Sequence, residues 1–352
     1  MTVTGNSMQR VLTTLSHCEP DRVPVFLLLT THGAKELGLG IREYFSRPEH
    51  VAEGQLRLYR KFGHDCLYGF WYAAAELEAW GGSAIFYEDG PPNAGAPIFN
   101  SRSQIRAACR PKVSQSPILQ NILQSIRLMK QEIGDAAPIV GVVMSPFSLP
   151  VMQLGFETYF GLMADDKATL LQLLEENCEF CIEWANAQLA AGATAICYFD
   201  PVSSPTVVSA DWYRAWGLPV SRRVQAAVKG PIAAHLASGR VLPLIDDLVD
   251  SGMSVVGTGS LEDLREVKAA CSGRISILGN LNGIEMTRWT AQQAEQAVKQ
   301  AVFAAGAGGG FILSDGHGEI PWQVSDEILH AIVAAARRWG AYPLQSERTD
   351  ET

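Results

Sequence analysis

The sequence predicts an α/β fold, a parallel sheet closed into a (β/α)8 TIM barrel, and three observations carry that prediction. Eight short runs rich in β-branched and aromatic residues recur along the 352 residues. After them come stretches whose apolar residues repeat at helical spacing, and strand alternating with helix demands a parallel sheet. Eight such units in one chain favour closure into a barrel over an open, doubly wound sheet.

Taken in order, the first strand is expected at 23–30, followed by a helix at 41–62. The second, 65–71, leads into a long connection, 72–137, with a Gly- and Pro-rich segment at 81–97, an extra hairpin and a helix at 116–133. A connection this long on the active face of a barrel usually serves as a lid or binding edge. Strands at 138–144 and 193–200 precede helices at 167–191 and 210–228. The remaining units pair 231–235 with 241–251, 254–257 with 261–270, 274–279 with 291–305, and 311–314 with 325–339. No low-complexity linker or composition break interrupts them, so residues 1–345 read as one barrel domain and 346–352 as a polar tail.

Composition narrows the function classes. Hydrophobic residues make up 47% and charged residues 18%, the balance of a folded soluble protein. A formal charge of −9 provides no basic stripe for nucleic acid or an anionic membrane. No signal segment opens the chain and no apolar run spans a bilayer, so a cytoplasmic location is expected. Seven scattered cysteines do not form a disulfide framework. Cys178 and Cys181 form a CxxC, but its helical surroundings and the lack of a second pair make them helix thiols. Gly306 to Gly310 precede a strand instead of following one, which removes a dinucleotide fingerprint.

In such a barrel the chemistry sits at the carboxyl ends of the strands. The residues expected there are Thr30, Thr31 and His32 after the first strand, Tyr72, Glu76 and Glu78 after the second, and Met144 and Ser145 after the third. Asp200 ends the fourth, His235 the fifth and Thr258 the sixth. Asn280 and Asn282 follow the seventh; Asp315, His317 and Glu319 end the eighth. A mouth so rich in carboxylates, imidazoles and amides is more polar than stability requires. His235 closes an apolar strand with a polar ring that needs a partner. His317, between two glycines, is free to present its ring. Phe70, Trp71, Tyr72, Trp80, Tyr198 and Trp322 cluster near the same ends, which suits a flat, partly apolar substrate.

These residues resemble the uroporphyrinogen decarboxylase superfamily, and within it the corrinoid-dependent methyltransferases, such as the methylcobamide:coenzyme M enzymes. The likeness rests on Asp21-Arg22-Val23-Pro24-Val25-Phe26, on Glu78-Ala79-Trp80-Gly81, and on Tyr198-Phe199-Asp200-Pro201-Val202-Ser203-Ser204-Pro205. Further matches are Ala234-His235, Ile277-Leu278-Gly279-Asn280 and the run from Gly309 to Pro321. The decarboxylase branch holds its polyanionic tetrapyrrole with an arginine-rich loop after the first strand; here that loop, Leu29-Thr30-Thr31-His32-Gly33-Ala34, has no arginine. The thiol-activating methyltransferases place zinc on His-x-Cys after the fifth strand and a Cys after the eighth. His235 matches the first ligand, Ala237 stands at the first Cys, and His317 near the second.

The resemblance therefore implies one of two chemistries for His235 and His317. Either they hold zinc with Glu78 or Asp200, or the metal is gone and they move protons. An aryl methyl ether needs a proton or Lewis acid at its leaving oxygen, so the lost cysteines and aromatic mouth point to methoxyaromatic substrates. The implied function is transfer of a methyl group from a small O-methyl substrate to the cobalamin of a separate corrinoid protein, in either direction. His317 is the expected proton donor, His235 its partner, and Asp200 or Glu78 the orienting carboxylate. Tyr72, Trp71, Tyr198, Met144, His32, Asn280 and Trp322 are the expected substrate contacts. Transfer from methylcobalamin to a thiol or folate, and a non-catalytic barrel that binds the corrinoid protein, are the alternatives. A homodimer is compatible with the family, but no sequence feature requires one.

Overall fold

Runs of Val, Ile and Leu bounded by Gly and Pro form the barrel wall, because a parallel strand covered on both faces needs apolar side chains on both. The computed structural model describes residues 5–344; the tail expected at 346–352 lies outside them. Seven parallel strands follow one another in the sheet: Leu67–Tyr68, Ile139–Met144, Ala195–Phe199, Ile232–His235, Val255–Gly257, Ser276–Leu281 and Phe311–Asp315. Each falls inside or within two residues of an expected strand. The first expected strand completes the circle in reduced form. Val25 bridges Leu313 in parallel on one side, and on the other its carbonyl accepts the Asp65 N–H at 2.7 Å. Pro24 has no N–H to donate, which helps explain why no longer ladder forms there.

The helices pack outside. Pro117–Ile133 starts on its proline and turns Leu119, Ile122, Leu123, Ile126 and Met129 inward, the spacing of one helix face. Lys167–Ala191 buries Leu170, Leu174, Cys178, Cys181 and Trp184. Its two cysteines are free buried thiols whose pKa values burial raises, as the helical context implied. Two expectations need correction. The helix expected at 41–62 is two helices, Ile41–Tyr44 and Pro48–Phe62, because proline disfavours helical backbone before it and suits a helix start. The helix expected at 210–228 contains a π-helical turn at Tyr213–Gly217 before Leu218–Ala227. The expected hairpin is present as Ala84–Ile85 against Asn93–Ala94.

An N-terminal helix, Ser7–Leu15, was not expected. Asn6 caps it, accepting the Gln9 N–H, while the Gln9 side chain accepts the Asn6 N–H. It sits under the strand starts and is tied there by charge. Buried Asp65 accepts from Arg10, Arg22, the Ser7 hydroxyl and the Val25 N–H. Inside the barrel, Val11, Phe26, Leu28, Cys66, Tyr68, Val142, Cys197, Val255, Leu278 and Ile312 form a core separate from the helix layer. Each fully buried aliphatic side chain contributes roughly 1.5–3 kcal/mol.

Candidate active site

Strand register decides which side chains enter the mouth. Met144, Phe199, His235, Gly257, Leu278 and Ile312 are successive register partners around the sheet, so they share one inward layer. Tyr198 pairs with Val143 and Ala234, one residue out of phase, and joins the helix-side core with its buried hydroxyl unpartnered among the described residues. Trp71 also turns outward, packing on Phe45 and donating its indole N–H to Ser125 at 3.1 Å. The aromatic rings facing the interior are instead Phe199, Tyr68 and Phe70, with Phe26 among them. The expected substrate contacts Tyr198 and Trp71 are therefore wall residues.

His235 lies in that layer, 1% exposed and stacked on Phe199 at 5.6 Å. A Cβ on Gly257 would stand 2.4 Å from its ring, so the neighbouring strand makes room by ending on glycine. The Ala237 N–H donates to His235 Nδ1 at 3.1 Å, which puts the ring proton on Nε2. That Nε2 is buried and has no partner among the described residues. Burial, and then the neighbouring His317, lower the pKa of His235 to about 4, so the ring is neutral near pH 7.

His317 is half-buried at the rim. Its Nδ1 meets the Ser238 hydroxyl, and its Nε2 lies 3.2 Å from Asn282 Oδ1, an oxygen that also accepts two N–H groups of the next helical turn. Nε2–H is thus the donor and Nδ1 the acceptor. Burial lowers the pKa of His317 as well, so an imidazolium is not its resting form near neutrality. With both nitrogens engaged, and only one of His235 open, the two rings do not provide a zinc donor set. Among the described residues no cluster of three His, Cys, Asp or Glu is placed to hold a metal. The residues present do not fit zinc.

The expected carboxylates are held elsewhere. Asp200, buried, accepts from Ser145 at 2.5 Å, from Ser148 at 2.6 Å and from Ser203, and fastens the loops after the third and fourth strands. Burial raises its pKa against the pull of those hydroxyls. Glu78 accepts from Tyr72 at 2.9 Å; burial raises its pKa, while Tyr72 and Arg42 favour its charged form. Neither contacts a histidine through these bonds. Asn280 donates to the Gly259 and Glu262 carbonyls and secures the sixth connection. His32 is buried on the helix His32–Leu37, 3.4 Å from the Val324 carbonyl, with its pKa lowered to about 4 by burial. Trp322, half-buried, lies under the Lys35 ammonium at 4.5 Å.

Two carboxyls received less weight in the sequence than the structure gives them. Asp315 is fully buried; one oxygen accepts the His317 and Gly318 N–H groups, and the other has no partner among the described residues. Glu319 accepts from the Thr30 hydroxyl. Burial raises Asp315 to about 6; burial and then Asp315 raise Glu319 to about 8, and no cation contributes to either shift. Between them Gly318 accepts from Tyr68 at 3.3 Å, and at φ +94 it holds a backbone that other residues rarely adopt. The SDGHGE run was the available signal, since closely spaced acids around a glycine-flanked histidine at a strand end must crowd one site.

Comparison with known proteins agrees with this geometry. The family model for uroporphyrinogen decarboxylase matches residues 6–339. The uroporphyrinogen decarboxylase of Xylella fastidiosa is 25% identical over 355 residues, taking in 94% of this chain and 98% of that one. The methylcobamide:CoM methyltransferase MtaA of Methanosarcina barkeri is 25% identical over 162 residues, 46% of this chain and 48% of that one. A solved methyltransferase from Methanosarcina mazei superposes with a TM-score of 0.86 over 95% of this chain and 99% of that one, at 22% identity. At that identity the match speaks for the fold.

Proposed function

Because the chain belongs to the uroporphyrinogen decarboxylase family, we propose that it works as that family's methyltransferases do, moving a methyl group between a small methoxylated aromatic and the cobalamin of a separate corrinoid protein. One observation carries the choice over decarboxylation. Asp315, buried, and Glu319, half-buried, sit at the mouth with no cation among the described residues to compensate them, beside a loop, residues 29–34, that has no arginine. A substrate with many carboxylates would find no guanidinium to pair with there, only acids that its own charge would drive further toward protonation. A neutral aryl ether meets Phe199, Phe70 and Met144 on its faces and a few fixed polar groups at its oxygen.

The partner's cob(I)alamin would supply the nucleophile that takes the methyl group; this chain's residues manage the leaving oxygen. A phenolate has a pKa near 10, as tyrosine does. A neutral imidazole is too weak an acid to protonate it, so His235 Nε2–H, the open one of the two rings, serves as hydrogen-bond donor to the developing oxyanion. Glu319 near 8 is the better match as the acid. Its Oε1 takes the Thr30 hydroxyl, which leaves Oε2 to carry the proton. Ser238 and Asn282 fix the ring of His317.

Ile85, Phe156, Leu171, Leu261 and Ile284 are among the exposed large apolar residues on connections that follow barrel strands, and such residues are the candidate contacts for the partner. Calorimetric titration tests the substrate class. Guaiacol should bind and a polycarboxylate porphyrin should not; the reverse would return the chain to the decarboxylase branch.

A further inference from the structure

Beneath the mouth, the barrel interior is not filled. Barrels of this class normally pack their interior with layers of branched side chains. Here Ala195, Cys197 and Ala233, on adjacent central strands, contribute short ones. The result is a cavity of about 90 Å³. Its walls are almost wholly apolar: Val11 and Leu15 of the N-terminal helix below, Leu28 and Ile312 at the side, and His235 as the only histidine in the lining.

The cavity reaches the surface at the barrel's amino end. Pro138, Thr194 and Pro231, at the strand starts, and Leu12 of the N-terminal helix line its rim, and Leu12 is 51% exposed. Ala195 and Ala233 keep partial exposure although they lie on central strands. Water gains little in such a space, because it needs two to four polar partners; apolar cavities stay dry or take apolar guests.

We propose that this floor cavity is a binding site for a small uncharged apolar molecule, of the size of xenon or a short hydrocarbon, admitted past Leu12 and seated beneath His235. Dispersion contacts with the surrounding aliphatic side chains would hold it, since an unfilled void forfeits them. The site opens at the opposite end of the barrel from the substrate mouth, reaches up to His235, and does not depend on the methyl-transfer reading.

Xenon NMR on the full chain tests it. Xenon should show a saturable bound shift, and cyclopropane should displace it. Benzene should not, since a cavity that binds benzene holds about 150 Å³. Ala233→Leu fills the space and should abolish the bound signal while keeping the far-ultraviolet spectrum and raising Tm. Ala195→Val, a smaller change, should weaken xenon binding severalfold and guards against a folding failure of the first variant. No saturable shift in the native chain, or an undiminished one in both folded variants, overturns the proposal. Because His235 lines both sites, the xenon titration of the native chain decides the proposal, and the methyl-transfer assay does not enter it.

Discussion

Asp65 at the floor is a buried acid, and so is Asp315 at the mouth beside half-buried Glu319, yet the barrel treats the two ends oppositely. Asp65 is ringed by two guanidiniums, a hydroxyl and a backbone N–H, and it ties the N-terminal helix to the strand starts. Asp315 and Glu319 have hydroxyl and backbone donors but no cation. A carboxylate held by cations on several sides is a tether; a carboxyl left uncompensated keeps its proton toward neutrality. The first arrangement serves stability, and the second stores an acid where the fold places its chemistry.

Breaking the floor should have the largest effect. Asp65→Ala leaves Arg22 without its carboxylate and Arg10 with Asp21 alone, a loss of about 3–5 kcal/mol in denaturant unfolding. Unchanged stability would mean that the cluster is ornamental. At the mouth the balance should invert. Glu319→Gln removes an uncompensated acid, so Tm should hold or rise while methyl transfer falls by roughly 10²–10⁴. A loss of Tm with full activity would make Glu319 another structural acid.

The pH dependence sharpens the same contrast. If Glu319 must be protonated, the native rate should fall about tenfold per pH unit above pH 8, and Glu319→Gln should flatten that limb. Glu76 checks burial without chemistry. It accepts the Met144 N–H at 2.8 Å, and burial raises its pKa from 4.5 to about 8. Its protonation favours the folded state most below 4.5, and that contribution is lost as pH rises through about 8. Glu76→Gln should therefore raise Tm above pH 8 and leave it unchanged below the carboxylate range. The smallest expected effect is that of a chelator, because the histidines do not present a zinc site: methyl transfer should be unchanged.

Much of this was legible in the sequence. Strand–helix alternation located the barrel, and the strand-end rule placed His235, Asp200 and His317 at the mouth end. Which face each strand-end aromatic takes was not legible. In strands covered on both faces, alternating polarity disappears, and a shift of one residue exchanges Tyr198 for Phe199 and Trp71 for Phe70. Nor could spacing show that Asp200 is consumed by Ser145, Ser148 and Ser203, since those serines come from two different connections. The protonation of His317 is likewise a property of burial, which no local pattern reveals. The N-terminal helix escaped because its function is to plug a barrel that exists only after the remaining strands close.

Demethylation of an aryl ether onto cobalamin is the activity proposed for the mouth. It is tested most directly by absorbance, with the purified chain, its corrinoid partner held as cob(I)alamin, and guaiacol. The methylcobalamin band should grow, at a rate that falls above pH 8 and does not respond to chelator. No band with any methoxyarene, together with demethylation of methylcobalamin by a thiol or folate, would contradict it and assign the chain to the second step. Partner binding without turnover in either direction would make the barrel a non-catalytic companion of the corrinoid protein.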